Sequence, residues 1–109
     1  MPLPDITHLQ FQILAILIGP EKAGREVRAQ LKKEGIKKDG PAFYMLMSRL
    51  EDARLVKSRP DVVVVGGKRV TIKQYKITAK GVSAYNTTLD FYQRRAAEGL
   101  TGRAGEVGA

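Results

Sequence analysis

The periodicity of the sequence changes sharply between residues 39 and 81, and this change limits the folds open to the chain. Apolar residues first recur at the spacing of one helix face, as Phe43, Leu46, Met47, Leu50 and Ala53. After residue 55 the composition becomes β-rich and reaches Gly66-Gly67, a pair that readily adopts the positive φ angles of a hairpin turn. The region therefore predicts a helix, a two-stranded hairpin and the start of another helix.

The helix of this region, the third of the chain, is the best specified. Asp39 is a good N-cap residue, and Pro41 lies in the first turn, where its missing N–H costs nothing. At 100° per residue, the face opposite the apolar stripe carries Pro41, Met45, Ser48 and Asp52, flanked by Tyr44 and Arg49. We expect this face to point away from the core.

Two further helices are predicted before the third. Thr7 precedes an apolar helical pattern that Gly19-Pro20 ends, and a second helix from about Lys22 to Lys33 has Gly35 in place to terminate it. Its cations Arg25, Arg28, Lys32 and Lys33 lie away from its apolar stripe.

The return strand of the hairpin, Lys68 to Ile77, changes the phase of its alternation, which predicts a bulge or twist near Lys73 and Gln74. Thr78 then caps a long helix, about residues 78–97, with a seam at alternating steps of three and four: Val82, Tyr85, Leu89 and Tyr92. We expect one domain over residues 1–97 and a flexible tail over residues 98–109.

Composition excludes several classes of site. The chain has no cysteine and one histidine, so neither a disulfide framework nor a cysteine or histidine metal cluster is expected. It shows no Ser/His/Asp order and no glycine-rich phosphate loop, so we predict no catalytic residues, no cofactor and no enzyme activity. The longest apolar run is far too short to cross a bilayer, and no secretory signal opens the sequence, so a cytoplasmic protein is expected.

Positive charge is concentrated in one part of the chain. Residues 37–80 contain eleven Lys or Arg and four acids, a net charge of +7 out of +8 for the whole chain. Clustered cations attract polyanions, and charge beside and within a hairpin favours nucleic acid over a membrane surface.

The order helix, helix, helix, hairpin, helix predicts an α+β, mostly helical winged helix-turn-helix: three helices, a two-stranded β wing and a C-terminal helix. Over residues 6 to 95 the sequence resembles the PadR family of transcriptional regulators. The resemblance is carried by Phe43-Tyr44 with Met47, Leu50 and Glu51, by Leu55-Val56, and by the run Lys73 to Thr78 with Lys80-Gly81.

The resemblance implies a sequence-specific, double-stranded DNA-binding regulator, a repressor that acts as a homodimer through its last helix. Two residues depart from the family pattern. Arg54 stands where many relatives have glycine at the end of the third helix, and Gly24-Arg25 stands where relatives commonly have Gly-Tyr. A winged-helix module for a protein partner and a nonspecific nucleic-acid-binding protein remain alternatives.

Candidate DNA contacts follow from this arrangement, each with a plainer alternative. Tyr44, Ser48 and Arg49 are candidates for the major groove and its phosphates, although Tyr44 could pack on the second helix and Arg49 could pair with Asp52. The remaining candidates for phosphate contact lie at the start of the third helix and on the wing: Lys37, Lys38, Lys68, Arg69 and Lys73. The alternative is that these residues are ordinary solvated cations.

The seam Val82, Tyr85, Leu89 and Tyr92 is the candidate dimer interface, with coverage of the domain's own core as the alternative. A small-molecule effector stays open as a partner but is unsupported, because Met45 and Met47 alone do not indicate a ligand pocket.

Overall fold

The computed structural model describes the backbone of residues 5–108 and the side chains of residues 5–99. Helix α1 spans His8–Leu17, and its start is fixed by a reciprocal cap in which the Thr7 hydroxyl and the Gln10 side chain each accept the other residue's backbone N–H. Ile13, Leu14 and Leu17 of α1 are fully buried. The first helix is therefore confirmed, and it forms one wall of the core.

The second predicted helix begins later than expected. Lys22–Ala23 form a short strand, β1, and helix α2 spans Gly24–Lys33. Strand β1 pairs antiparallel with the hairpin, Lys22 opposite Tyr75 and Ala23 opposite Gln74. The helix predicted from about Lys22 therefore starts slightly later, and the predicted two-stranded wing is present with a third, short strand added beside it. That strand was not expected, because pairing with a strand some fifty residues later leaves no local signal in two residues.

Helix α3 spans Gly40–Asp52, with the Asp39 carboxylate accepting the Ala42 N–H at 2.8 Å as an N-cap. After its end, Arg54, which stands where many relatives have glycine, adopts the left-handed conformation with φ of 61°. The Leu55 N–H then bonds to the Leu50 carbonyl at 3.0 Å, closing a helix terminus that glycine usually serves. Arg54 therefore holds a conformation that disfavours residues with a Cβ.

Strands β2 (Val56–Val65) and β3 (Lys68–Ile77) form the hairpin, in a sheet of order β1-β3-β2. Val65 pairs with Lys68 across Gly66 and Gly67, whose φ angles of 58° and 78° match the predicted turn. Every pair from Val56–Ile77 outwards keeps one register, so the predicted bulge near Lys73 is wrong. The phase change arises because one face of the ladder is covered at its base and the opposite face is partly covered farther out.

Helix α4 spans Ala79–Gly108. The Thr78 hydroxyl accepts the Gly81 N–H at 3.0 Å and donates to the Arg54 carbonyl at 2.7 Å, which confirms the predicted cap. The backbone stays helical beyond the expected end near residue 97, with the Arg95–Glu98 ion pair along that stretch. From residue 100 on, the tail prediction falls on residues whose side chains lie outside the description, so the division into domain and flexible tail stays a prediction.

The core lies where α1, α2, α3 and the base of the hairpin meet. It contains mainly aliphatic side chains together with Phe43 and Tyr75, both at most 2 % exposed. Burial raises the pKa of the Tyr75 phenol to about 12, because the charged form is disfavoured in this apolar environment. In the described part of the chain, no helix has the length and apolar character that a bilayer crossing requires.

Candidate nucleic-acid interface

The outward face of α3 carries the first group of candidates. Phe43, Met47 and Leu50 point into the core, so Tyr44, Ser48 and Arg49 are exposed by the helical repeat. Among the described residues Arg49 forms no ion pair, and the pairing with Asp52 considered as an alternative is not made. Its guanidinium is therefore available to a ligand.

Tyr44 combines its two alternatives. Its ring meets the Phe43 ring edge-on at 5.0 Å between centroids, and it lies against Gly24 at the start of α2. A Cβ on Gly24 would be 2.8 Å from Tyr44 Cε1, which is too close for any real contact. Packing on α2 therefore orients a side chain that remains 43 % exposed.

Lys37 and Lys38 are exposed just before α3, as expected. The backbone N–H groups at this helix start are mostly occupied, however. Asp39 accepts from Ala42 through its side chain and from Phe43 through its carbonyl, while Pro41 has no N–H. Few free N–H groups therefore remain in this helix turn to attract a phosphate, and side-chain cations must supply most of the attraction.

The register of the hairpin sorts the wing candidates by face. Lys73 and Arg69 share a face with Tyr75 and Ile77, because side chains two apart on a strand point the same way. Lys68 lies on the other face, so Lys68 and Arg69 flank the turn on opposite sides. Two exposed valines, Val62 and Val64, lie on the face of Arg69.

Two cations of residues 37–80 have partners within the fold. Arg59 grips Glu21 with two hydrogen bonds, one of them 3.0 Å from Nε to Oε2, and lies 3.8 Å from Asp61. The Arg59 hydrogen bond lowers the pKa of the Glu21 carboxyl. Lys80 Nζ donates to the Ala53 carbonyl at 3.0 Å, at the end of α3. The bond of Arg59 to Glu21 and that of Lys80 to Ala53 have no sequence signal, because these paired residues are far apart in the chain.

Further cations, for which the sequence predicted no role, lie next to Lys37 and Lys38. Three exposed residues of α2 line a surface depression of about 560 Å³ together with Lys37 and Lys38: Arg25, Arg28 and Lys32. Their spacing of three, four and seven along a helix places them on one face, and that pattern could have marked them in the sequence.

The predicted dimer seam is divided between two environments. Val82 and Tyr85 pack against the core, and the Tyr85 ring stacks on Phe11 of α1 at 5.1 Å. Tyr92 meets Phe11 edge-on at 5.6 Å but is 41 % exposed, and Leu89 is half-buried. The first half of the seam therefore covers the domain's own α1, and the role of the seam in a dimer stays a prediction.

Within residues 5–99, no group of three or more histidine or acidic side chains is placed to hold a metal ion. No protein-family model matches the sequence. No curated protein matches it either.

Solved structures, in contrast, match the chain over most of its length. A PadR-family transcription regulator from Clostridium difficile R20291 is 20 % identical, with a TM-score of 0.68 over 89 % of this chain and 97 % of that one. A PadR-family regulator from Eggerthella lenta is 24 % identical, with a TM-score of 0.66 over 88 % and 80 %.

A third structure is of Bacillus subtilis PadR in complex with operator DNA, at 20 % identity and a TM-score of 0.65. The match covers 76 % of this chain and 47 % of that protein. At these identities the similarity concerns the fold. The chain has the winged-helix fold of the PadR-like transcription regulators, as the resemblance predicted.

Proposed function

We propose that this protein is a sequence-specific double-stranded DNA-binding transcriptional regulator, a repressor that acts as a homodimer. The observation that carries the proposal is the pair of exposed surfaces at α3 and the wing, whose cations Arg49, Arg69 and Lys73 have no ion-pair partner among the described residues. A solved protein of the same fold is in complex with operator DNA.

In this proposal α3 lies in the major groove and the wing follows the adjacent backbone. Arg49 can fork onto guanine O6 and N7, while Ser48 and Tyr44 hold a base edge or a phosphate. The wing face with Arg69 and Lys73 continues the face whose base, at Tyr75 and Ile77, packs on the helical core. It therefore lies on the side of the helices, and we assign it the larger share of phosphate contact.

Dimerisation is assigned to α4. Tyr92 stays 41 % exposed although its ring meets Phe11 of α1, and Leu89 lies one turn before it. A symmetric pairing of two such helices would present two copies of α3 to half-sites roughly 34–36 Å apart, one turn of DNA. Occupation of an operator by this dimer would block transcription.

The test is a fluorescence-anisotropy titration with duplexes selected from genomic DNA, together with the mass of the protein in solution by light scattering. We expect a dimer, a palindromic site, and affinity that falls steeply with salt. Absence of binding to any duplex at low salt would refute the proposal. Equal affinity for selected and random duplexes would favour a nonspecific nucleic-acid-binding protein instead.

A further inference from the structure

Five cations converge on one depression beside the start of α3. Three come from α2 and two from the segment that joins it to α3: Arg25, Arg28, Lys32, Lys37 and Lys38. A single carboxylate, that of Asp39, lies among them. All five side chains belong to exposed residues, so the depression is open to a large ligand. Five positive charges against one negative charge favour an anion.

Arg28 is held in place within this cluster. Its Nε donates to the Lys38 carbonyl at 2.9 Å, and its Nη1 would lie 3.7 Å from a Cβ on Gly40, the first residue of α3. The guanidinium is thereby held at the N-terminal end of α3, and this bond uses only its Nε–H group. A planar donor set of this kind suits the oxygens of a phosphate.

Asp39 reduces the positive charge but is already engaged. One of its carboxylate oxygens accepts the Ala42 N–H as the α3 cap. Because this cap occupies the helix start, an anion in the depression must be bound by the side chains around it. The lysines and arginines outnumber the capped carboxylate and can do so without displacing it.

The position of the depression indicates which phosphate it takes. It adjoins the N-terminal end of α3, whereas the wing begins after the C-terminal end, so basic groups lie beyond both ends of a helix roughly 20 Å long. A helix in a major groove about 12 Å wide has a sugar-phosphate backbone on each side. We propose that the depression binds a backbone phosphate on the side of the groove away from the wing, an inference that rests on the proposed function.

The experiment compares two double variants of the full chain. Arg25→Gln/Lys32→Gln removes two charges from the depression and spares Arg28, whose bond to Lys38 also holds the loop. The matched control is Lys22→Gln/Lys33→Gln, which removes two charges from a separate depression between α1 and α2. Affinity is measured for a selected and a random duplex across a range of salt concentrations.

We expect the first variant to flatten the slope of log affinity against log salt by about 1 to 2, because each lost phosphate contact contributes about 0.9. The loss should be equal on both duplexes, and the control should keep the wild-type slope. Wild-type binding with an unchanged slope in both variants would overturn the inference while leaving the proposed function intact. Failure of the wild type to bind would overturn both.

A second measurement separates a DNA phosphate from a free one. Inorganic phosphate is titrated into the wild type while backbone amide chemical shifts are recorded. Saturable shifts confined to the depression, combined with unchanged salt slopes in the variants, would assign the cations to a free anion and overturn the assignment to DNA. Competition between inorganic phosphate and duplex at this site would support the assignment.

Discussion

Helix α3 and strand β3 both contact DNA in the proposed function, yet they differ in charge and in support. Helix α3 has one cation, Arg49, and two acids, while the ten residues of β3 include four cations and no acid. Helix α3 buries three large side chains in the core, whereas the outer half of β3 is exposed. This contrast indicates that the helix is suited to discriminate between sequences and the wing to bind any backbone.

The α3 surface and the wing both depend on the junction of β2 and α4, and the largest expected effect comes from disrupting this junction. A Cβ on Gly81 would lie 2.1 Å from the Leu55 carbonyl oxygen, at the junction of β2 and α4. We expect Gly81→Ala to lower the free energy of unfolding by about 3 kcal/mol, because the clash is with backbone that cannot yield cheaply. Chemical denaturation measures this loss.

The matched control for that substitution is Gly99→Ala, on the same helix at an exposed position with nothing near the added methyl group. It should leave stability equal or slightly raised, since alanine favours helix. If Gly81→Ala also left stability unchanged, the close approach of Gly81 in α4 to the Leu55 carbonyl would be contradicted.

The second prediction concerns the discriminating side of the comparison. Arg49→Ala should weaken binding to the selected site by about 2 kcal/mol and leave affinity for random duplex much closer to wild type, because a bidentate contact to guanine is lost. Arg49→Lys keeps the charge and loses the fork, so it should resemble Arg49→Ala on the selected site. Equal losses on both duplexes would make Arg49 a phosphate contact.

The third prediction separates the two faces of the wing. Arg69→Gln/Lys73→Gln should lower affinity roughly tenfold on all duplexes and flatten the salt slope by about 2. The control, Lys68→Gln/Lys76→Gln, removes the same charge from the opposite face and should change the slope by less than half as much. Salt-dependent anisotropy decides between them, and the reverse order would place the opposite face against DNA.

The fourth and smallest effect concerns the joint between the two regions. Arg54→Gly should raise the free energy of unfolding by about 1 kcal/mol, because glycine adopts a φ of 61° without the cost that a Cβ imposes. Arg54→Ala removes the charge but keeps that cost, so it should not stabilise. Thermal and chemical denaturation of the three proteins measure the difference.

Local chemistry made most of the fold predictable. Thr7, Asp39 and Thr78 cap the helices that their positions suggested, and Gly66-Gly67 forms the expected turn. What the sequence could not reveal depends on contacts between distant residues. Strand β1, the bond of Arg59 to Glu21 and the cluster of α2 cations with Lys38 all arise only when the chain is folded.

The same distinction applies to the candidate site. The exposed positions of Tyr44, Ser48 and Arg49 follow from the helical repeat, so sequence sufficed to find them. The assignment of Arg69, and not Lys68, to the face of Tyr75 follows from the strand repeat together with an uninterrupted register. The predicted bulge concealed it, because a bulge would have reversed the faces between the base and the tip.

The uninterrupted register of the hairpin restricts how its length can change. An added or deleted residue in β3 between Tyr75 and the turn would move Arg69 to the opposite face, where it would no longer share a side with the helices. Only a change of two residues in each strand would keep every side chain on its present face. The wing can therefore lengthen or shorten only in steps of about 7 Å, and intermediate lengths would exchange the faces of Lys68 and Arg69.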